Sequence, residues 1–111
     1  MPSDNFKLLH QSQITTTAGA LYTVPANHET IVKSIQVVNT DTSARWVKPF
    51  HSTGTTYDDE SCITPQLTVA AGGMAVFEGT ITMDASDTLG FDVEVVDKIT
   101  FTVYGDEIDV S

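Results

Sequence analysis

The chain has 111 residues, enough for one domain, and its 15 acidic and 5 basic side chains give a formal net charge of −10. An acidic chain repels nucleic-acid phosphates, and no apolar segment is long enough to span a bilayer, so we expect neither nucleic acid nor a membrane as a partner. Cys62 is the single cysteine, which excludes an internal disulfide and a multi-cysteine zinc site. No charged segment followed by an apolar run opens the chain, so we expect no secretory signal.

The predicted elements are all strands, because threonine, valine, isoleucine and aromatic residues dominate the chain and no window shows the helical period. In chain order they are residues 6–17, 20–24, 30–39, 45–52, 62–70, 74–79, 88–96 and 99–104. Turn residues separate them at near-regular spacing. The sequence therefore predicts an all-β fold, an antiparallel β-sandwich or jelly roll of about eight short strands. We expect residues 1–17 to form an N-terminal arm and first strand, and residues 18–111 a single sandwich domain.

Three of these strands carry positional signals. The segment 30–39 has apolar residues on both faces, which predicts a central strand or one covered on two sides. Pro49 favours an edge position for its segment and Pro65 an edge or a bulge, since proline cannot donate to a ladder.

The last two strands alternate strictly between apolar and polar positions. Leu89, Phe91, Val93 and Val95 share one face of the first, and Ile99, Phe101 and Val103 share one face of the second. The short link 96–98 between them predicts a hairpin.

Carboxylates clustered in two loops are weak candidates for a calcium site, because calcium binds six to eight hard oxygens. They are Asp58, Asp59, Glu60, Asp84 and Asp87. No DxDxDG spacing is present, and the alternative is that these acids occupy turns and solubilise loop tips. The histidines at 10, 28 and 51 are isolated, so we predict no transition-metal site and no cofactor.

Cys62 could act as a nucleophile with His51 as its base. The three acids before Cys62 would raise the pKa of its thiol, which opposes thiolate chemistry. No GxSxG motif is present either. We therefore predict that the protein is not an enzyme.

Three aromatic residues, Trp46, Phe50 and Tyr57, lie around one strand and the loop that follows it. Exposed together, they would suggest a glycan-binding platform or a protein-binding hot spot. The alternative, which we favour, is that Trp46 and Phe50 share a core-facing side, because aromatic residues dominate small cores.

Two stretches resemble a pattern found in small virion structural proteins of tailed bacteriophages. They are LYTVPANHETIVKSIQVVNTDTSA, residues 21–44, and LTVAAGGMAVFEGTITMDASDTLGF, residues 67–91. In the first, a Y-x-V-P-A turn leads into an I-V-K-S-I-x-V-x-N-T strand. In the second, a glycine-rich turn, an apolar strand and a G-x-I-x-M strand precede an Asp-Thr-Leu re-entry. The resemblance extends over residues 21–103.

The resemblance implies a capsid decoration, or cement, protein that binds the outer shell and stabilises the head. It implies the major capsid protein as partner, a homotrimer, and a place on the virion surface after synthesis in the host cytoplasm. Residues 1–17 would dock through Phe6, Leu8 and Leu9, and Trp46 and Tyr57 would complete the interface. The alternatives are a neck, tail or fibre accessory protein of the same fold, or a glycan-binding module that uses Trp46 and Tyr57.

Overall fold

A computed structural model of the chain describes residues 6–58 and 60–110, apart from the side chain of Phe6. The described residues contain eight strands. They are β1 (Phe6–Gln13), β2 (Ala18–Thr23), β3 (His28–Asn39), β4 (Arg45–Ser52), β5 (Leu67–Val69), β6 (Met74–Met83), β7 (Thr88–Val93) and β8 (Ile99–Asp109). The predicted all-β sandwich is confirmed. Within these residues no helix has the length and apolar character needed to cross a membrane.

The strands form two four-stranded antiparallel sheets. The first sheet has the order β1-β8-β3-β6, and the second has the order β2-β7-β4-β5. Strand β1 pairs with β8, β2 with β7, β3 with β6 and β4 with β5. The chain is therefore folded in half at the β4–β5 connection, and the doubled ribbon is rolled into two sheets, which is the jelly-roll arrangement.

The core lies between the two sheets and follows the alternation that the sequence predicted. Ile99, Phe101 and Val103 of β8 are completely buried, and Leu89, Phe91 and Val93 of β7 face them from the second sheet. The prediction of a central strand at 30–39 is also confirmed, because β3 lies between β8 and β6. Its apolar residues on the core face are therefore shielded on both edges as well.

The predicted hairpin between the last two strands is wrong. Strands β7 and β8 belong to different sheets, so the link 94–98 crosses from one sheet to the other. Two hydrogen bonds join this region to the β1–β2 link: Val93 N, at the end of β7, donates to Thr17 O at 2.9 Å, and Asp97 N in the crossing link donates to Ile14 O at 2.7 Å. The β1–β2 and β7–β8 crossings thus lie side by side and hydrogen-bond to each other through their backbones.

Pro49 does not mark an edge strand, because β4 lies between β7 and β5. The Pro49 carbonyl accepts a hydrogen bond from Ile63 N at 3.0 Å, on the side away from β7. A residue in a strand points its nitrogen and its carbonyl to the same side, so the missing N–H does not weaken the β4–β7 ladder. On that same side β5 pairs only with Arg45, Trp46 and Val47.

Candidate functional site: faces and edges of the sandwich

A cleft of about 440 Å³ opens at one side of the sandwich, between β6 and the segment 60–63. His51 and Cys62 both line it, and His51 Nε2 lies 3.0 Å from Asp87 Oδ2. Cys62 forms a bridge directly opposite Phe50, so it shares a face of the sheet with Phe50, whereas His51 points to the other face. The side chains of Cys62 and His51 therefore start from opposite faces of the sheet.

The calcium candidates occupy turns. Asp87 Oδ2 accepts a hydrogen bond from Asp84 N at 3.0 Å, and Asp58 Oδ1 accepts one from Glu60 N at 3.1 Å. Asp59 lies outside the described residues. Among the described residues, no group of three or more His, Cys, Asp or Glu side chains lies close enough together to hold a metal ion.

The aromatic residues near β4 are arranged around a glycine. Phe50 is buried, but on the outer face of the second sheet rather than in the core, because it lies opposite Gly90 while Leu89 and Phe91 point inward. The Tyr57 ring covers Phe50 and Gly90 on this outer face. Its ring centroid lies 5.6 Å from that of Phe50, and its hydroxyl lies 2.8 Å from Thr88 Oγ1.

Gly90 leaves just enough space for the Tyr57 ring. A Cβ atom at Gly90 would lie 2.3 Å from Tyr57 Cε1. The loop 53–58 is therefore held flat on the outer face of the second sheet. The expectation that Trp46 and Phe50 share a core-facing side is wrong, because Val47 points into the core and Trp46 and Phe50 point to the outer face. Trp46, at the other end of β4, is half-buried, and its backbone N–H donates to Glu94 Oε1 at 3.1 Å.

The N-terminal residues proposed for docking lie in a strand of the first sheet. From Phe6 onward the chain pairs with β8, with an irregularity between Leu8 and His10. Leu8 is 49% exposed, whereas Leu9 packs against the core. Residues 1–5 lie outside the described part of the chain.

A polar network joins β1, β2 and β8 at one end of the sandwich. Lys7 Nζ lies 2.7 Å from Glu107 Oε1, and Tyr22 donates a short hydrogen bond to Glu107 from the opposite sheet. Burial raises the pKa of Tyr22, and the bond to Glu107 raises it further. Burial opposes ionisation of Glu107, but the hydrogen bonds from Lys7 and Tyr22 outweigh it and hold the pKa of Glu107 below its usual value. The network therefore links the two sheets.

The outer face of the first sheet carries two uncharged rows that cross all four strands. One row is Gln11, Thr102, Gln36 and Val76, and the other is Gln13, Thr100, Val38 and Met74. The residues between the rows on the inner strands, Phe101 and Val37, point into the core, so the rows point outward. We name these eight residues the amide–apolar face. Met74 and Val76 are 55% and 46% exposed.

Sequence reasoning missed this face. The sequence shows uncharged residues (Gln, Thr and Val) at alternate positions of β1, β8 and β3. That they lie side by side follows only from which strands pair, and strand pairing is not visible in local sequence.

Comparison with known proteins identifies the fold. No protein-family model matches the chain, and no curated protein sequence matches it. Among solved structures, the chain is similar to one from the acid-stable capsid of Helicobacter pylori bacteriophage KHP30, with a TM-score of 0.52, 13% identity, and coverage of 93% of this chain and 92% of that one. It is similar to a chain of empty cowpea mosaic virus particles, with a TM-score of 0.55, 12% identity, and coverage of 95% and 84%.

A pilus subunit has the same fold. The chain is similar to one from the disulfide-linked endospore appendages of Bacillus, with a TM-score of 0.55, 16% identity, and coverage of 99% of this chain and 93% of that one. At such identities the likeness shows a shared β-sandwich, found in both capsid and pilus subunits.

Proposed function

We propose that this protein is a virion structural protein, namely a capsid decoration protein that binds the outside of the major capsid protein shell and stabilises the head. The observation that carries the proposal is the end-to-end fit of one jelly roll. The chain aligns over 93% of its length with 92% of a phage capsid chain, so the shared fold accounts for almost all of both. The sequence resemblance over residues 21–103 points to the same class of protein.

The exposed apolar side chains support an interaction role. Leu8, Met74 and Val76 are each at least 46% exposed, and they lie on β1 and β6, the two edge strands of the first sheet. Edge strands present unpaired backbone groups, and exposed apolar residues beside them favour contact with another chain. A subunit that joins neighbouring capsomers needs this combination.

A reconstitution experiment tests the proposal. Phage heads that lack this protein are mixed with the purified chain, and bound copies are counted after sedimentation of the heads. We expect saturation near one copy per coat subunit, or one per few. The same assay tests Leu8→Asp against Leu67→Asp, a matched change on an edge strand of the other sheet. We expect loss of binding for Leu8→Asp alone.

Two results would contradict the proposal in different ways. No binding to heads would refute decoration. Binding of only a few copies at one vertex would instead favour the neck or tail accessory role of the same fold. Equal binding by the two leucine variants would refute docking through β1, and light scattering of the free protein tests the predicted homotrimer separately.

A further inference from the structure

The backbone of β6 has a free side, which faces away from β3. Asn39 N donates to Gly73 O at 2.9 Å, where the β3–β6 ladder begins. In an antiparallel ladder every second residue bonds to the neighbouring strand, and the residues between them point their N–H and C=O groups to the opposite side. The residues of β6 that point away from β3 are therefore Met74, Val76 and Glu78. We name these three residues the β6 edge, and no other strand of the described chain pairs with it.

The β6 edge lacks the features that protect sheet edges from other chains. Its register with β3 is regular from Met74 to Glu78, and this stretch contains no proline. The other edge strands of the described chain are shorter or interrupted. Strand β5 has only three residues, and the pairing of β1 and of β2 shifts at an irregularity. The β6 edge is therefore the longest regular edge that the described strands offer to a partner.

The surroundings of the β6 edge suit the side chains of an added strand. Phe77 and Ile81 of β6 are half-buried and pack against the core, as does Ile63 beside β4. The cleft of about 440 Å³ lies between Ile63 and Ile81. On the outer face of the sheet, Met74 and Val76 are 55% and 46% exposed. A strand added to β6 would thus cover apolar side chains on both faces of the sheet.

We propose that the β6 edge binds an extended, basic segment of a partner protein, which pairs with β6 as an additional strand of the first sheet. Backbone N–H and C=O groups that recur at every second residue are matched by the backbone of another extended chain. Alternate side chains of that segment point toward Phe77 and Ile81, so we expect apolar residues at these positions.

Charge complementarity selects a basic partner. Glu78 lies on the β6 edge and Glu60 lines the cleft, and neither β6 nor the segment 60–63 contains a lysine or an arginine. The whole chain carries a net charge of −10, so it attracts a basic segment and repels a second copy of itself.

The identity of the partner rests on the proposed function, under which the segment belongs to the major capsid protein. Strand pairing at the β6 edge is a property of the purified chain and is tested with a peptide, whereas decoration is tested on phage heads. Peptide binding without head binding would support the pairing and refute decoration. Head binding without peptide binding would refute the pairing and support decoration.

Hydrogen exchange of the purified chain, followed by NMR with and without the peptide acetyl-KVKVKVK-amide, tests the proposal. An extended form of this peptide presents valine on one face and lysine on the other. We expect the amides of Val76 and Glu78 to exchange rapidly in the free chain and to become protected when the peptide binds. The amides of Ala75 and Phe77, which bond to β3, should be protected throughout. The control peptide acetyl-KPKPKPK-amide has the same charge, but its prolines prevent strand pairing, so it should protect none of them.

A pair of variants at one position tests the backbone contact itself. Val76→Pro removes an N–H of the β6 edge and no bond to β3, and proline is tolerated on edge strands, so the urea midpoint should stay close to that of the wild type. Peptide binding should weaken about tenfold, because a peptide carbonyl loses its donor. Val76→Thr keeps both the N–H and the preference for a strand, and it should bind the peptide nearly as the wild type does.

Four results would overturn the proposal. The first is that about 1 mM peptide, enough to detect millimolar binding, protects neither Val76 nor Glu78. The second is equal binding of the proline peptide, which would reduce the contact to charge attraction. The third is a folded Val76→Pro variant that binds as tightly as Val76→Thr. The fourth is protection of the β6 edge in the free chain that increases with protein concentration, which would assign the edge to a second copy. The proline peptide and the exchange pattern of the wild type decide the matter even if Val76→Pro does not fold.

Discussion

Replacing Gly90 by alanine tests how the loop 53–58 is held on the second sheet. The new Cβ would lie 2.3 Å from Tyr57 Cε1, so the ring must move by more than 1 Å to reach an ordinary contact of 3.4 Å. The ring cannot move so far without losing its bond to Thr88 and its contact with Phe50. The lost hydrogen bond costs about 1 kcal/mol. The lost aromatic pairing costs about 1 kcal/mol.

Partial exposure of Phe50, which is 1% exposed in the native fold, adds about 1 kcal/mol. We therefore expect Gly90→Ala to lower the free energy of unfolding by about 3 kcal/mol, within the range for overpacking and lost contacts. Urea unfolding followed by the fluorescence of Trp46, the single tryptophan, measures it.

The control is Gly79→Ala, because a Cβ at Gly79 meets no atom within 4 Å and the change should be neutral or slightly stabilising. In a Tyr57→Ala background, Gly90→Ala should cost far less, since the clashing ring is gone. Equal effects of Gly90→Ala and Gly79→Ala, or strict additivity with Tyr57→Ala, would refute the reasoning.

Two further predictions concern the polar groups that hold the fold together. Asn39 is completely buried. Its amide nitrogen donates to Ser43 O at 3.0 Å and to Val69 O at 3.1 Å, and its Oδ1 accepts from Asp41 N at 2.9 Å. Asn39→Ala should therefore lower the free energy of unfolding by about 3 kcal/mol, because it leaves these backbone groups without partners. A loss below about 1 kcal/mol in urea unfolding would show that water replaces the side chain without penalty.

The lowered pKa of Glu107 means that its ionised form stabilises the fold above the ordinary glutamate pKa, and that this contribution disappears as the pH falls through the native value. The stability difference between wild type and Glu107→Gln should therefore stay constant above about pH 5 and shrink as the pH falls below the ordinary glutamate pKa of about 4.3. A difference that stays constant down to acid pH would contradict this prediction.

Local sequence was sufficient to predict that the chain forms eight strands and which residues build much of the core. Branched and aromatic residues at alternate positions placed β3 and β4 close to their observed bounds, since the preference for extended structure is encoded in each segment. They also placed the start of β8, which continues to Asp109 instead of ending at residue 104. The same alternation does not say which sheet a strand joins. The link 96–98 is short enough for a hairpin, yet it crosses the sandwich, because β7 pairs with β2 and β4 while β8 pairs with β1 and β3.

The surfaces were harder to predict because they depend on contacts between distant residues. Phe50 is buried as its aromatic character suggested, but a loop residue seven positions later covers it from outside the sandwich. The amide–apolar face is assembled from β1, β8, β3 and β6, whose pairing brings together residues as far apart in sequence as Gln11 and Thr102. No local pattern contains that information.

The most direct test of the proposed decoration role is the copy number of this protein in purified virions of the phage proposed to encode it, measured by quantitative mass spectrometry against the major capsid protein. The proposed decoration role predicts a ratio near one per coat subunit, or one per few. A handful of copies per particle would contradict decoration and assign the protein to the neck or tail. Its absence from virions would contradict a virion role altogether.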